Sequence, residues 1–345
     1  MGEEQILSRK RRPAWLLPVT LVLAGALLFL AVRKVDWAET AETLRRGNLA
    51  LLGAALGVFS LACLVRGLRW RVLLSAEKPI PLLTVFWAMM TGYLGNAYLP
   101  ARAGEVIRSV TIGLRGGVSV SFALATALTE RISDAVILVA VSALALASME
   151  HLPPELIAPL RGMALVGIAG AAIIFIAPRM GKLVSGIIRR LPLKAALRDR
   201  LEALAASFLT GAGALQHAGR LSLFLLYSAA IWSLDVVTAL LVAKAFGLVL
   251  TPAQVFVLLA ALGIASALPS TPGYVGVYQY VASIVLVPFG LTESQALAFI
   301  IAFQGLMYVG ITLWGAIGLW GPRLAAARQP EPPVATEPGE VRQSH

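Results

Sequence analysis

The chain has 345 residues, of which 58% are hydrophobic and 14% are charged, and its mean hydropathy is +0.81. Because soluble domains carry about 25% charged residues, this composition excludes an ordinary soluble globular protein. The formal net charge of +11 would suit nucleic-acid binding, but membrane proteins collect lysine and arginine in their cytoplasmic loops. With one cysteine, Cys63, and three scattered histidines, neither an internal disulfide nor a metal site is expected.

Six apolar segments are long enough to cross a membrane, which takes about 20 mainly apolar residues. They cover residues 14–32, 48–65, 119–149, 161–178, 220–246 and 292–320. The first follows the basic stretch 9–12 and is long for a signal peptide, so we expect a retained anchor. Amphipathic helices are expected at 33–47 and at 179–219, where the second is rich in basic residues.

Basic residues indicate how the chain crosses the membrane. Placing the N-terminus in the cytoplasm puts 22 of the 29 lysines and arginines on the cytoplasmic side. We therefore expect a multi-pass inner-membrane protein with both termini in the cytoplasm. Residues 1–13 would form a basic cytoplasmic N-terminus, residues 14–322 one transmembrane domain, and residues 323–345 a disordered tail.

Two further apolar segments, 81–115 and 252–287, are each broken near the middle by proline and glycine. With a shift of 169 residues, the pattern LPxxxGxV that begins at Leu99 matches the same pattern at Leu268. Three predicted spans separate the two segments, so they would face opposite sides of the membrane. This arrangement is typical of an inverted repeat with two re-entrant hairpins; the alternative is a pair of ordinary proline-kinked helices.

Charged and polar residues surround the first break in the sequence NAYLPARAGEVIR. A helix that restarts after Pro100 would hold Arg102 near its N-terminus, where free N–H groups suit a phosphate. Asn96 and Arg108 are further candidates for binding a lipid head group. The alternative is that Glu105 and Arg108, which are i,i+3 neighbours, form an ion pair that only stabilises the hairpin.

A second group of charges, Glu130, Arg131 and Asp134, lies about twelve residues into the apolar segment 119–149. Charges so deep in a membrane must face the protein interior. Glu130 and Asp134 share a helix face, and Arg131 is within reach of Asp134. The group could neutralise Arg102 or Arg108 across the bundle, or it could relay protons.

Three further charged residues are candidates for a functional role: Arg66, Arg69 and Asp235. The two arginines lie at the inner end of the second span, so they are either interfacial anchors or ligands of a lipid phosphate. Asp235 lies within the fifth span and needs an interior partner. The second break has hydroxyls and amides but no charge. No nucleotide-binding loop or catalytic motif occurs, and no catalytic residue, metal or cofactor is assigned.

Three stretches, NAYLPARAGEVIR, TERISD and SALPSTPGYVGVYQ, resemble the signature blocks of the lysylphosphatidylglycerol synthase transmembrane-region family, also called flippase-like domain proteins. The resemblance covers about residues 14–322. It implies a polytopic domain that, in two-part members, moves an aminoacylated phospholipid from the inner to the outer leaflet. Stand-alone members are associated with lipids or lipid-linked sugars, including hopanoids, and some are labelled glycosyltransferases. Since the aminoacyl-transferase domain is missing from this sequence, we expect no lysylphosphatidylglycerol synthesis.

The resemblance carries family positions onto this chain residue by residue. They are Asn96, Pro100, Arg102, Gly104, Glu105 and Arg108 in the first block, Glu130, Arg131 and Asp134 in the second, and Pro269, Pro272, Gly273, Gly276 and Val277 in the third. Relatives often have an acidic residue at the position of Gln279, so an acid role there is not expected.

The sequence therefore predicts an all-α polytopic membrane protein with about six transmembrane helices and two oppositely oriented re-entrant hairpins. The hypothesis is a lipid translocase for an anionic phospholipid or a polyprenyl or hopanoid-type lipid. The alternatives are a membrane-embedded transferase, with Glu105 or Asp134 as base, and a scaffold for lipid-synthesis enzymes. A homo-oligomer is compatible with the sequence, and a nucleic-acid partner is not expected.

Three sets of residues belong to this hypothesis. The expected ligands of the lipid phosphate and head group are Arg102, Arg108, Asn96, Arg66 and Arg69. The charge network, with a role in proton coupling, consists of Glu105, Glu130, Arg131, Asp134 and Asp235. The hairpin breaks contain Pro100, Gly104, Pro269, Pro272, Gly273, Gly276, Tyr274 and Tyr278.

Overall fold

The structure is a computed structural model that describes residues 16–99, 103–147, 157–176, 181–191, 195–266 and 272–326. These ranges are helical and contain no strand, which confirms the all-α class. Several predictions concern residues outside the described ranges: the N-terminus 1–13, Pro100, Arg102, Pro269 and the tail from residue 327.

The described residues form thirteen α-helices and two short 3₁₀ turns. The first six are α1 Leu16–Val32, α2 Trp37–Arg45, α3 Leu49–Leu74, α4 Leu82–Tyr98, α5 Ala103–Gly116 and α6 Val120–Ala147. The others are α7 Ile157–Ile176, α8 Gly181–Arg190, α9 Ala195–Gly213, α10 Ala218–Ala245, α11 Pro252–Ala265, α12 Val277–Leu286 and α13 Glu293–Ala326, with 3₁₀ turns at Ala214–Gln216 and Pro272–Tyr274.

Capping residues explain where several helices begin. The Asp36 side chain accepts hydrogen bonds from the first backbone N–H groups of α2, and Asn48 does the same for α3. Thr251 and Gln254 form a reciprocal capping box at the start of α11, where Pro252 occupies the first helical position. Each side chain satisfies backbone donors that a helix start leaves without an intrahelical partner.

Three helices of the described residues are long and apolar enough to cross a membrane: Leu49–Leu74, Ala218–Ala245 and Glu293–Leu319. They correspond to the second, fifth and sixth predicted spans, and the count of six remains a prediction. The helix expected over 179–219 is wrong as a single element, because α8 and α9 are separate helices. Helix α8 ends at Arg190, and Pro192 disfavours helical geometry in the residue before it, Leu191.

Each broken segment forms a pair of short helices. Helices α4 and α5 have 17 and 14 residues, and α11 and α12 have 14 and 10, all below the length of about 20 residues that a span takes. The helices α4 and α5 approach closely at glycines: a Cβ on Gly104 would overlap the carbonyl oxygen of Gly92, and one on Gly92 would lie 2.6 Å from Cβ of Arg108.

The helix order long, short, short, long occurs twice. Helix α3 starts at Leu49 and α10 at Ala218, and α5 and the 3₁₀ turn after α11 start at Ala103 and Pro272. Both pairs are separated by 169 residues, the shift that superposes the sequence pattern. Packing follows the same scheme, because α4 packs on α13 while α11 packs on α6.

Helices α3 and α10 form the centre of the bundle and run antiparallel. The backbone N–H of Asn48, at the start of α3, donates to the carbonyl of Ala245, at the end of α10. Buried apolar side chains of both helices belong to one continuous core with α4, α11 and α13. The two helix pairs with short members therefore meet beside a rigid central pair.

Candidate functional site

An open cavity of about 200 Å³ lies where the two broken segments meet. Helices α3, α4, α5, α6, α12 and α13 contribute to its wall, together with the turn Pro272–Tyr274. The lining residues are Phe59, Arg66, Tyr93, Asn96, Ala97, Glu105, Arg131, Ser266, Gly273, Tyr274, Tyr278, Gln304, Met307, Tyr308 and Ile311. Asn96 and Glu105, beside the first break, thus share one space with Ser266 and Gly273, beside the second, although the two pairs are far apart in sequence.

Three charged side chains line this cavity: Arg131, Glu105 and Arg66. Nε of Arg131 lies 3.2 Å from Oε1 of Glu105, and 37% of the Arg131 side chain is exposed. The Arg131 guanidinium also lies over the ring of Tyr93, at 5.9 Å from its centroid. Arg131 is therefore a charged donor that is held on one side and accessible on the other, as capture of an anion requires.

Tyrosines also line the cavity, namely Tyr93, Tyr274, Tyr278 and Tyr308. The rings of Tyr274 and Tyr278 stack with centroids 4.9 Å apart, and those of Tyr98 and Tyr308 lie 6.3 Å apart. Tyr274 has a φ of 61°, a left-handed conformation that costs a non-glycine residue free energy. The fold around the second break must hold Tyr274 in this conformation.

A hydrogen-bonded amide pair holds the second break. The Gln279 side chain accepts from the backbone N–H of Gly276 at 2.7 Å and donates to Oε1 of Gln304 at 2.9 Å. Gln304 and Tyr308 both donate to the carbonyl oxygen of Gly273, which has a φ of 71°. A Cβ on Gly273 would overlap the Tyr308 hydroxyl, so glycine is required there for both conformation and space.

A chain of ion pairs extends from the cavity into the bundle. Glu105 accepts from Arg131 and also lies 2.7 Å from Nε of Arg108. Arg108 donates to Oε2 of Glu130 at 3.0 Å, and Oε1 of Glu130 accepts from Nη2 of Arg69 at the same distance. Arg108 and Glu130 are each 1% exposed. Their burial is tolerated because each charge contacts opposite charges on both sides.

This series of ion pairs ends at Arg69 and Asp134, which are also well paired. Arg69 donates to both carboxylate oxygens of Asp134, at 2.5 and 2.9 Å, and to Oγ of Ser228 at 3.1 Å. Its guanidinium lies over the ring of Phe224, and the guanidinium of Arg108 lies over Trp70. These contacts join α3, α5, α6 and α10 into one electrostatic unit.

A separate ion pair connects the two central helices. Nη2 of Arg66 on α3 contacts Oδ2 of Asp235 on α10. Arg66 lines the cavity, and its Nη1 atom has no hydrogen-bond partner among the described residues. Asp235 thus has the interior partner that the sequence required.

The structure divides the predicted phosphate ligands into two groups. Arg66 and Asn96 line the cavity, whereas Arg69 and Arg108 are buried in ion pairs away from it, and Arg102 lies outside the described residues. Arg66 and Arg69 both have buried carboxylate partners. Arg69 and Arg108 are buried and ion-paired, and their role as head-group ligands stays a prediction.

The predicted network residues Glu105, Glu130, Arg131 and Asp134 come together, whereas Asp235 pairs separately with Arg66. Arg131 pairs with Glu105 and not with Asp134, which pairs with Arg69 instead. Arg131 also lines the cavity, so it is both a network member and the most exposed cation of the site. Of the predicted break residues, Gly273, Tyr274 and Tyr278 line the cavity, Gly104 lies at the contact of α4 with α5, and Gly276 caps α12 with a φ of 87°.

Sequence reasoning did not single out Tyr93, Gln304 and Tyr308. Gln304 and Tyr308 are polar residues within the apolar helix α13, and they lie one turn apart on its cavity side. Two polar side chains one turn apart in an otherwise apolar helix were the feature of the sequence that could have identified Gln304 and Tyr308 as cavity residues. Among the described residues, no cluster of histidine, cysteine, aspartate and glutamate could hold a metal ion.

Comparison with known proteins gave two matches. The family model described as Lysylphosphatidylglycerol synthase TM region matches residues 15–315. A protein named Glycosyltransferase AglD, from Haloferax volcanii, is 24% identical over 337 residues, which cover 86% of this chain and 53% of the relative. The chain thus spans about half the length of that curated relative. No solved structure matched.

Proposed function

Because the chain belongs to the family of lysylphosphatidylglycerol synthase transmembrane regions, we propose that it is a lipid translocase of the inner membrane. Its substrate is an anionic phospholipid or a lipid-linked intermediate, which moves between the two leaflets. Such a protein needs a polar site for the head group, a charge that binds the phosphate, and an apolar surface that the acyl chains can follow.

The cavity between the two broken segments is the observation that carries this proposal. Its wall combines the accessible guanidinium of Arg131 with Arg66, the amide of Asn96 and several tyrosine hydroxyls. Guanidinium groups bind phosphate oxygens through several parallel N–H donors. The hydroxyls and amides would replace water around the rest of the head group during its passage.

Apolar residues beside both breaks support a path for acyl chains. Leu99 and Val106 flank the first break, Val275 lies in the second, and all three side chains are exposed. Exposed apolar side chains beside a polar cavity favour a lateral opening, in which the head group enters the protein while the tails stay in lipid. Tyr98, also exposed, lies at the edge of this opening.

The proposed architecture is an inverted repeat with both termini in the cytoplasm. In it, α4 with α5 and α11 with α12 are re-entrant hairpins that enter from opposite sides and meet near the membrane centre. The short helices, the recurring helix order and the antiparallel central pair support this arrangement. Non-helical backbone at that depth is tolerated when it lines a polar cavity, as the turn Pro272–Tyr274 does.

Reconstitution tests the proposal. Purified protein is placed in phosphatidylcholine vesicles that carry a trace of fluorescent phosphatidylglycerol or polyprenyl phosphate, and dithionite reports the label in the outer leaflet. The protein should accelerate crossing of at least one of the two probes. Arg131→Gln should slow crossing at least about tenfold, the effect of losing one charge-assisted hydrogen bond.

Arg46→Gln is the matched control, because Arg46 forms an exposed ion pair with Glu42 outside the cavity. It should transport at the rate of the unmodified protein. Crossing of both probes no faster than in empty vesicles would contradict the proposal, and so would equal rates for the two glutamine variants.

A transferase is the second candidate, favoured by the relative named Glycosyltransferase AglD. A base for such a reaction would have to be Glu105 or Asp134. Oxygens of Glu105 contact Arg131, Arg108 and Asn96, and both oxygens of Asp134 accept from Arg69. Arginines thus occupy the oxygens of both carboxylates, so we favour the translocase. Product formation from a polyprenyl-phosphate sugar donor by the purified protein would reverse that preference.

A further inference from the structure

The ion pair between Arg66 and Asp235 joins equivalent positions of the two repeats. The two residues are 169 positions apart. The same shift relates the LPxxxGxV patterns, the starts of α3 and α10, and the starts of α5 and the turn at Pro272. Direct contact between equivalent positions occurs only beside the axis that relates two copies.

The course of α3 and α10 agrees with such an axis. The start of α3 contacts the end of α10 through the bond from Asn48 to Ala245, so the two helices run in opposite directions. A two-fold axis perpendicular to both helices exchanges them and passes between their middles. Arg69 and Ser228, which are also hydrogen-bonded, lie within one to two turns of Arg66 and Asp235 on these helices.

Arg66 also belongs to the cavity. Its side chain is 13% exposed and that of Asp235 is 8% exposed. One guanidinium nitrogen of Arg66 contacts Asp235, and its Nη1 atom has no hydrogen-bond partner among the described residues. Donors of a buried guanidinium are costly to leave unpaired, so this buried nitrogen has a donor left for a ligand that reaches Arg66.

We infer that Arg66 is a head-group ligand on the local two-fold axis, and that Asp235 is its resident counter-ion, which a lipid phosphate competes with and displaces. The inference rests on the proposed translocation. A residue on the axis keeps equivalent neighbours when the two repeats exchange conformations, so Arg66 stays within reach of a phosphate from either side. Asp235 neutralises the arginine between substrates and favours release of the bound phosphate.

The variant Asp235→Asn tests the competition. Without the aspartate charge, Arg66 should bind phosphatidylglycerol about tenfold more tightly, while the maximal rate of crossing should fall because release is slower. Asp235→Glu, which keeps the charge, should restore both values. Affinity is measured by native mass spectrometry of the full chain in detergent with added phosphatidylglycerol, and rate by the dithionite assay. An affinity of Asp235→Asn equal to or below that of the unmodified protein would overturn the inference.

A second variant covers the case in which Asp235→Asn does not fold. Arg66→Gln with Asp235→Asn removes both charges and leaves no unpaired ion in the core, so the protein should fold. It should bind phosphatidylglycerol at least about tenfold more weakly than the unmodified protein. Equal binding would refute the role of Arg66. If the unmodified protein does not accelerate crossing, the translocase proposal fails, while these affinities still decide whether Asp235 competes for Arg66.

Discussion

Replacing Glu130 by glutamine tests the charge network at its centre. Glu130 is 1% exposed and accepts hydrogen bonds from Arg69 through one oxygen and from Arg108 through the other. Glutamine has nearly the same shape, but it has no charge and presents an amide N–H₂ group to one of the two guanidiniums. The variant therefore leaves three network arginines, Arg69, Arg108 and Arg131, with two carboxylates, those of Glu105 and Asp134.

The expected loss follows from the pairing that remains. Arg69 keeps Asp134 and Arg108 keeps Glu105, so neither guanidinium becomes isolated. Removing one partner of a buried ion pair nevertheless costs about 3–5 kcal/mol. We therefore expect the Glu130→Gln variant to lose about 3 kcal/mol, the lower end of that range, and to show a Tm lower by at least about 5 °C.

Thermal unfolding in detergent, followed by tryptophan fluorescence, measures this difference. Glu42→Gln is the matched control, because Glu42 forms an exposed pair with Arg46 and such pairs contribute about 0.5 kcal/mol or less. Equal Tm values for the two variants would refute the reasoning that the buried network stabilises the fold.

Two further predictions concern the breaks. Gly104→Ala would place a Cβ on the carbonyl oxygen of Gly92 and should cost about 1–3 kcal/mol, seen as a lower Tm; Gly53→Ala, which meets no atom within 4 Å, is the control, and equal Tm values would contradict the close packing. Tyr274→Gly removes left-handed strain worth about 1 kcal/mol and also the stack on Tyr278. It should leave the Tm nearly unchanged but slow lipid crossing in vesicles, and an unchanged crossing rate would show that this aromatic wall is not used.

The helical class and the family could be predicted from the sequence because apolar runs and short sequence blocks, which involve residues close together in the chain, indicate them. Apolar runs of sufficient length specify helices in a membrane, and proline with glycine marks the breaks. The contact of Glu105 with Arg108 follows from i,i+3 spacing, and the structure contains it. Pro192 indicates that 179–219 divides into two helices. The continuous amphipathic pattern of this stretch, however, favoured the prediction of a single helix.

The partners of the remaining charges depend on tertiary packing. An arginine near the end of a span, such as Arg69, is equally compatible with the lipid interface and with a buried carboxylate. Its burial follows from how α3 lies against α6, where Glu130 and Asp134 share the facing side. Arg131 pairs with Glu105 because α5 and α6 pack against each other, a tertiary contact that the spacing of residues along the chain does not show.

Cavity residues from α13 were the least predictable part of the site. Gln304 and Tyr308 lie in a long apolar helix, where a glutamine alone does not show whether it faces a cavity or another helix. Both side chains donate to the carbonyl oxygen of Gly273 and so hold the turn at the second break. This role follows from the tertiary structure and not from the sequence of α13.

The most direct test of the central claim is a structure of the full chain in lipid nanodiscs that contain phosphatidylglycerol, determined by electron cryo-microscopy. The account predicts head-group density in the cavity, with the phosphate beside Arg131 and Arg66 and the acyl chains leaving past Leu99 and Val106. Lipid density confined to the outer perimeter of the bundle, with the cavity filled by water, would contradict the claim that the cavity carries the head group.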